Sequence, residues 1–186
     1  LNCAIARFEV KAGVATAPVS HKAVATREGF DAALVRTLRD EGAEWIVLAG
    51  FMRVVTPVLL DAFKDRVVNI HPALLPAFPG VDAQAQALAY GVKVTGCTVH
   101  FVDAGVDTGP IILQETVPVL DGDDRDALAK RILEKEHASM VRAASPDAVL
   151  LNGAALSPLA AAVRVAGGPN VRVATLTHDV LHERAA

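Results

Sequence analysis

Cysteine is nearly absent from this chain. It has two in 186 residues, Cys3 and Cys97, which builds neither a disulfide framework nor a thiolate zinc cluster and points to a reducing compartment. Aromatics are scarce too, at 4%, so a core must be assembled from Val, Leu, Ile and Ala, which the 52% hydrophobic content supplies. Positive charge is in deficit: the formal net charge is -3, and an acidic chain lacks the electrostatic footprint of a nucleic-acid or anionic-membrane binder. No apolar run reaches the roughly 18 residues of a membrane span, because Gly, Pro, Asp and Arg interrupt every candidate. The opening residues lack the basic flank and cleavage site of a secretory signal, and Leu1 stands where an initiator Met would. These absences lead to the expectation of a cytoplasmic protein of about one domain, acting on small molecules without nucleic-acid or membrane partners.

What is present is periodic. Phe30, Leu34 and Leu38 recur at helical spacing between about Arg27 and Glu41, and Gly42 closes that helix. Trp45 to Gly50 is a short, nearly continuous apolar run, the pattern of a strand buried on both faces of a parallel sheet. A short helix from Pro57 to Phe63 and a second strand from Arg66 to Ile70 complete a βαβ pattern, whose ligand edge lies at the strands' C-terminal ends. Pro72, Pro76 and Pro79 predict a stiff, non-helical loop up to Gly80. A helix from Ala83 to Tyr90 follows, then strands over Val94 to Val102 and Ile111 to Val117, joined by the loop that holds Asp107. Asp123 or Asp124 caps a helix carrying Leu128, Ile132 and Leu133 and ending near His137. The Ala- and Val-rich remainder has strand-like stretches at Ala148 to Leu151 and Val171 to Leu176, and no chemistry is legible in it.

The chemistry concentrates in Asn69-Ile70-His71-Pro72 and in Asp107 of Val106-Asp107-Thr108-Gly109-Pro110. An amide, an imidazole and a carboxylate are the parts needed to stabilise an oxyanion and move a proton. Asn69 alone would more often cap a turn, and His71 alone would more often be structural. Two residues apart on an extended backbone, however, they project to the same side. A carboxylate beside His71 favours its imidazolium and raises its pKa, and Gly105 and Gly109 permit the tight turn that would bring Asp107 there. His100 is a fourth participant or a core-edge histidine held by one hydrogen bond, with little to choose between the two. A metal site built from His71, His100 and Asp107 finds no support in His-x-x-x-His or Cys-x-x-Cys spacing, so none is expected.

These residues sit in longer motifs. Leu48-Ala49-Gly50-Phe51-Met52-Arg53, Asn69 to Gly80, Gly91 to Val102 and Asp107-Thr108-Gly109-Pro110-Ile111-Ile112 together resemble the phosphoribosylglycinamide formyltransferases, folate-dependent enzymes of purine synthesis. The resemblance runs from about Asn2 to His137. It implies a Rossmann-like α/β formyltransferase fold, a mostly parallel sheet flanked by helices, here without the family's first strand and its Gly-rich phosphate loop. It implies transfer of a formyl group from 10-formyltetrahydrofolate, the co-substrate, to the amine of 5-phosphoribosylglycinamide, with no metal. Asn69 and His71 would polarise the formyl carbonyl, His71 being the proton donor and Asp107 its partner. Arg27, Met52, Arg53, Val54, Val55 and Asn69 would bind the folate, and Glu136 would lie near the glycinamide substrate.

The same resemblance divides the chain into a formyltransferase domain over residues 1–137 and a divergent segment over 138–186, where Ala138-Ser139-Met140 replaces the family's usual continuation. Ala85 also stands where relatives often carry Arg. A monomer or homodimer is expected. Formyltetrahydrofolate deformylase and methionyl-tRNA formyltransferase share the Asn-x-His and the later Asp, but Pro72 and Phe78-Pro79-Gly80 fit the glycinamide enzymes better, and the acidic charge disfavours tRNA. From a different class, a folate-binding fragment impaired in catalysis is the remaining alternative.

Overall fold

The computed structural model describes Val19, residues 24–143 and residues 173–176. In chain order these form α1 (Arg27–Asp40), β1 (Trp45–Ala49), α2 (Pro57–Ala62), β2 (Val67–His71), α3 (Ala83–Tyr90), β3 (Val94–Phe101), β4 (Ile111–Pro118), α4 (Arg125–Ala143) and β5 (Val173–Leu176). Each agrees with the sequence reading to within a residue or two except α4, which continues past His137 to Ala143. Nothing breaks a helix there: Ala138, Ser139 and Met140 carry its periodicity on, with Ser139 and Met140 buried. The strand-like stretch at Ala148 to Leu151 lies outside the described residues.

The strands form one sheet in the order β4-β3-β2-β1-β5. It is parallel across β5-β1-β2 and antiparallel across β2-β3-β4. The expected mostly parallel character thus holds in one half, while the hairpin around the Asp107 loop makes the other half antiparallel. β5, from the segment read as carrying no chemistry, pairs with the far side of β1.

Alternation along the strands sorts the two faces. Ile46, Leu48 and Val67 pack on one side under Phe30, Leu34 and Leu38 of α1 and Leu59 of α2. Thr26 starts α1 by accepting the Gly29 N–H at 3.1 Å, the ordinary way of satisfying a first-turn donor. Val47, Ala49, Val68, Ile70, Cys97 and Val99 face the other side, under Leu128, Ile132 and Met140 of α4. The Asp124 side chain opens α4 by accepting the Ala127 N–H at 2.8 Å. Leu128 is fully buried, so Leu128→Ala is expected to cost about 2–5 kcal/mol of unfolding free energy; urea denaturation followed by circular dichroism measures it.

Asn69 and His71 continue the side-chain row of Val67, on the α1/α2 face, but beyond the cover those helices provide. The topology therefore leaves two polar side chains at the C-terminal end of a central strand, the usual place for ligand chemistry in such sheets.

Candidate active site

Antiparallel register builds the site. Asn69 pairs directly with His100, and His71 with Thr98, across β2 and β3. Cross-strand partners share a face, so all four side chains project together. The hairpin loop then delivers Asp107 over them. Its Oδ2 lies 3.3 Å from His71 Nδ1, and its Oδ1 lies 3.5 Å from His100 Nε2 and 3.4 Å from Asn69 Nδ2. The carboxylate also accepts the Gly80 N–H at 2.8 Å. Asn69, His71 and Asp107 are thus brought together as the sequence suggested.

The loop achieves this differently from the expected glycine-driven turn. The left-handed residue is Asp107 itself, at φ 55°, a conformation Asp tolerates better than most residues. The two glycines matter for space. A Cβ at Gly109 would overlap the Phe101 carbonyl, and one at Gly105 would overlap the Thr108 hydroxyl. Asp103 Oδ1 closes the turn by accepting from Gly105 N at 3.0 Å and Thr108 Oγ1 at 2.7 Å.

His71 is 4% exposed. Its Nε2 donates to the Phe78 carbonyl at 2.8 Å, since a carbonyl can accept but not donate. Phe78 is also left-handed, at φ 55°, and that turn aims its carbonyl back at the histidine. The expectation that Asp107 raises the His71 pKa needs correction. Burial pushes it below the ordinary 6.5, and the opposing pulls of the Phe78 carbonyl and Asp107 are smaller. Desolvation disfavours the imidazolium more than one partly exposed carboxylate favours it. For Asp107 burial acts upward, yet contacts with His100, the Gly80 N–H and His71 outweigh it and hold the carboxyl below its usual range.

The proline loop is anchored by side chains that carried no recognisable signal in the sequence. Thr98 Oγ1 donates to the Ala73 carbonyl at 2.7 Å and accepts from Leu75 N at 3.0 Å, while Gln114 Nε2 donates to the Leu75 carbonyl at 2.9 Å and to Thr98 Oγ1 at 3.0 Å. Main-chain groups of Phe78 and Gly80 reach the cluster through this loop. The prolines marked the loop as rigid, but a backbone carbonyl leaves no trace in residue type.

The remaining candidates lie on α1, on the turn after β1 and on α4. Arg27 is exposed at the start of α1. Met52 and Val54 expose their side chains on the turn after β1, whereas Val55 is buried in the α1/α2 core, where its backbone rather than its side chain is left to meet a ligand. Arg53 lies over the Phe30 ring, 4.9 Å from its centroid, which ties this turn to α1 as a cation–π contact. The buried Asp31 carboxylate accepts the Thr56 N–H at 2.6 Å and pins the same segment.

Glu136 sits on α4, on the opposite face of the sheet from Asn69 and His71. The buried residues Leu128, Ile132 and Met140 of that helix recur every fourth position, and Glu136 falls on the same stripe. Burial pushes its carboxyl up to about 7 from 4.5. A folded-state pKa above the unfolded one means that the uncharged acid is favoured by folding, so stability falls as pH rises between these values. Glu136→Gln is expected to raise the melting temperature relative to the parent chain at pH 8 and to leave it nearly unchanged at pH 4.5; thermal scans at the two values check this.

Among the described residues, no group of three or more His, Cys, Asp or Glu is arranged to hold a metal ion, and no helix is long and apolar enough to cross a membrane.

Comparison with known proteins agrees with the geometry. A family described as "Formyl transferase" matches residues 3–144. The trifunctional purine biosynthetic protein adenosine-3 of Drosophila melanogaster is 50% identical over 146 residues, which cover 78% of this chain and 11% of the fly protein. Phosphoribosylglycinamide formyltransferase of Mycobacterium tuberculosis is 47% identical over 142 residues, covering 76% of this chain and 66% of that enzyme. The crystal structure of glycinamide ribonucleotide transformylase 1 from Symbiobacterium toebii superposes with a TM-score of 0.70 at 54% identity, over 71% of this chain and 62% of that one. The chain therefore spans less than two thirds of these relatives' lengths. Family match, sheet topology and the Asn69, His71 and Asp107 cluster lead to one conclusion: the chain belongs to the formyl transferase family.

Proposed function

We propose that this chain transfers the formyl group of 10-formyltetrahydrofolate to the amine of 5-phosphoribosylglycinamide, a step of de novo purine (IMP) biosynthesis, in the cytoplasm. The observation that carries this reading is the convergence of a neutral amide donor and a buried imidazole on one carboxylate, 3.4 Å and 3.3 Å away, at the sheet's C-terminal edge. The names of the relatives support the substrates, and the two-cysteine composition supports the compartment.

Formyl transfer between nitrogens passes through a tetrahedral oxyanion, which needs aimed donors and a place to hold a proton. Asn69 Nδ2 and His71 Nε2 are the donors, the Nε2 hydrogen being shared between the Phe78 carbonyl and the formyl oxygen while Nδ1 stays on Asp107. In neutral His71, Nδ1 presents a lone pair to Asp107 Oδ2 with no hydrogen between them. That contact accommodates one proton.

The sequence of events follows. The amine nitrogen bonds to the formyl carbon as the carbonyl pair moves onto oxygen. The amine's proton passes to the His71 Nδ1–Asp107 Oδ2 contact, and the imidazolium it creates faces the new oxyanion. When the oxyanion collapses, the bond from the formyl carbon to the folate N10 breaks and N10 leaves with a proton from His71. Acid and base roles thus alternate on one residue pair.

The folate is assigned to the exposed Met52 and Val54 side chains, the backbone of Arg53 and Val55, the Asn69 amide and the Arg27 guanidinium, which meets its anionic end. Glu136, on α4 across the sheet from the trio, is assigned to the glycinamide substrate through the resemblance to the family alone. The chain is expected to act as a monomer or homodimer. Mixing it with 10-formyltetrahydrofolate and measuring tetrahydrofolate release with and without the amine tests the reading. Release that depends on the amine supports it, and equal release without the amine identifies a deformylase instead.

A further inference from the structure

His100 is the titratable side chain of this cluster that the chemistry above does not use. It is 2% exposed and stands directly across from Asn69. An irregularity in the β3–β4 ladder falls between Val99 and His100, the kind of local distortion that re-aims a side chain. Its Nδ1 lies 2.8 Å from the Phe101 carbonyl, its Nε2 3.1 Å from Asn69 Nδ2 and 3.5 Å from Asp107 Oδ1.

The two shorter contacts decide where a neutral ring carries its hydrogen, the 3.5 Å approach to Asp107 being long for a hydrogen bond. A carbonyl is an acceptor, so Nδ1 must carry the proton, and in a neutral imidazole Nε2 is then left with a lone pair. The neighbour that satisfies it must be a donor. An asparagine amide offers NH2 at one end and C=O at the other, and His100 selects the NH2 end.

We propose that His100 is a positioning residue that sets the direction of the Asn69 amide, a role that rests on the formyl-transfer reading above. One Asn69 N–H is held by His100. The other, 3.4 Å from Asp107 Oδ1, makes too long a hydrogen bond to be firmly committed and is the one that turns to the formyl oxygen. Without His100 the amide is free to turn over, placing an oxygen where the oxyanion develops, which repels it.

Two readouts test this on the full chain. The first is the pattern of long-range proton–nitrogen couplings in the substrate-free protein with labelled His and Asn. The expected result is His100 protonated on Nδ1 and bare on Nε2, with a shifted Asn69 side-chain N–H that moves back in His100→Phe. The second is kinetic. His100→Phe should lose about tenfold to a hundredfold in kcat, less than outright removal of an oxyanion donor, with KM for the folate nearly unchanged. His100→Gln, which can again offer an acceptor to Asn69, should recover most of the loss. Protonation of the neutral ring on Nε2, or wild-type kcat in a folded Phe variant, overturns the proposal. If the Phe variant does not fold, the tautomer of the parent chain decides. That readout needs no substrate, so it stands or falls separately from formyl transfer.

Discussion

His71→Ala and Asn69→Ala are each expected to lower kcat by about 100-fold to 1000-fold while the chain stays folded, the usual consequence of deleting one oxyanion donor. Both residues end a central strand, and neither belongs to the two apolar clusters that hold the sheet to its helices. Their truncation removes polar contacts at the sheet's edge rather than packing across it. For His71 those contacts are Phe78 at 2.8 Å and Asp107 at 3.3 Å; for Asn69 they are His100 at 3.1 Å and Asp107 at 3.4 Å. For His71→Ala the loss should appear in kcat with little change in KM, because a donor aimed at the oxyanion acts in the transition state, whereas Asn69→Ala should also raise KM for the folate its amide contacts. Steady-state kinetics beside a thermal scan separates this from unfolding. Turnover within twofold of the parent in a folded variant of either residue contradicts the assignment.

Asp107→Asn is expected to lower kcat/KM by on the order of 100-fold, the lower end of what a positioned acid–base group supplies, and to displace the acid limb of its pH profile to lower pH. The sign follows from the two effects on His71. Burial holds its pKa below 6.5, and Asp107 pulls upward against burial. Removing the negative charge leaves burial less opposed, so the His71 pKa drops further. Asn tolerates the left-handed backbone of this position and can still accept the Gly80 N–H, so the loop should keep its shape. An acid limb that moves to higher pH contradicts this account of the pair.

Much of this molecule was legible in its sequence. The spacing of Phe30, Leu34 and Leu38 marked α1, and the unbroken apolar run at Trp45 marked a strand covered on both sides, because burial alone dictates those patterns. The trio was legible for a second reason: side chains two apart on a strand must share a face, so the sequence alone pairs Asn69 with His71. What was missed depends on interactions that residue type does not encode. The extent of α4 was misjudged because the chain turns Ala- and Val-rich after His137, although nothing in Ala138-Ser139-Met140 opposes a helix. The direction of the His71 pKa shift was misjudged because a charge partner is visible in a sequence while depth of burial is not. The Phe78 carbonyl, the Gly80 N–H and the Thr98–Gln114 anchor act through backbone groups, and the role of His100 depends on a cross-strand register that only the folded sheet supplies.

The most direct test of formyl transfer follows the formyl carbon itself. With 10-formyltetrahydrofolate labelled with carbon-13 in the formyl group and 5-phosphoribosylglycinamide as acceptor, carbon resonance spectra should show the label arriving as a formamide on the acceptor amine, at a rate reduced about 100-fold or more in Asn69→Ala. Label that appears as formate, or that stays on the folate, contradicts the account.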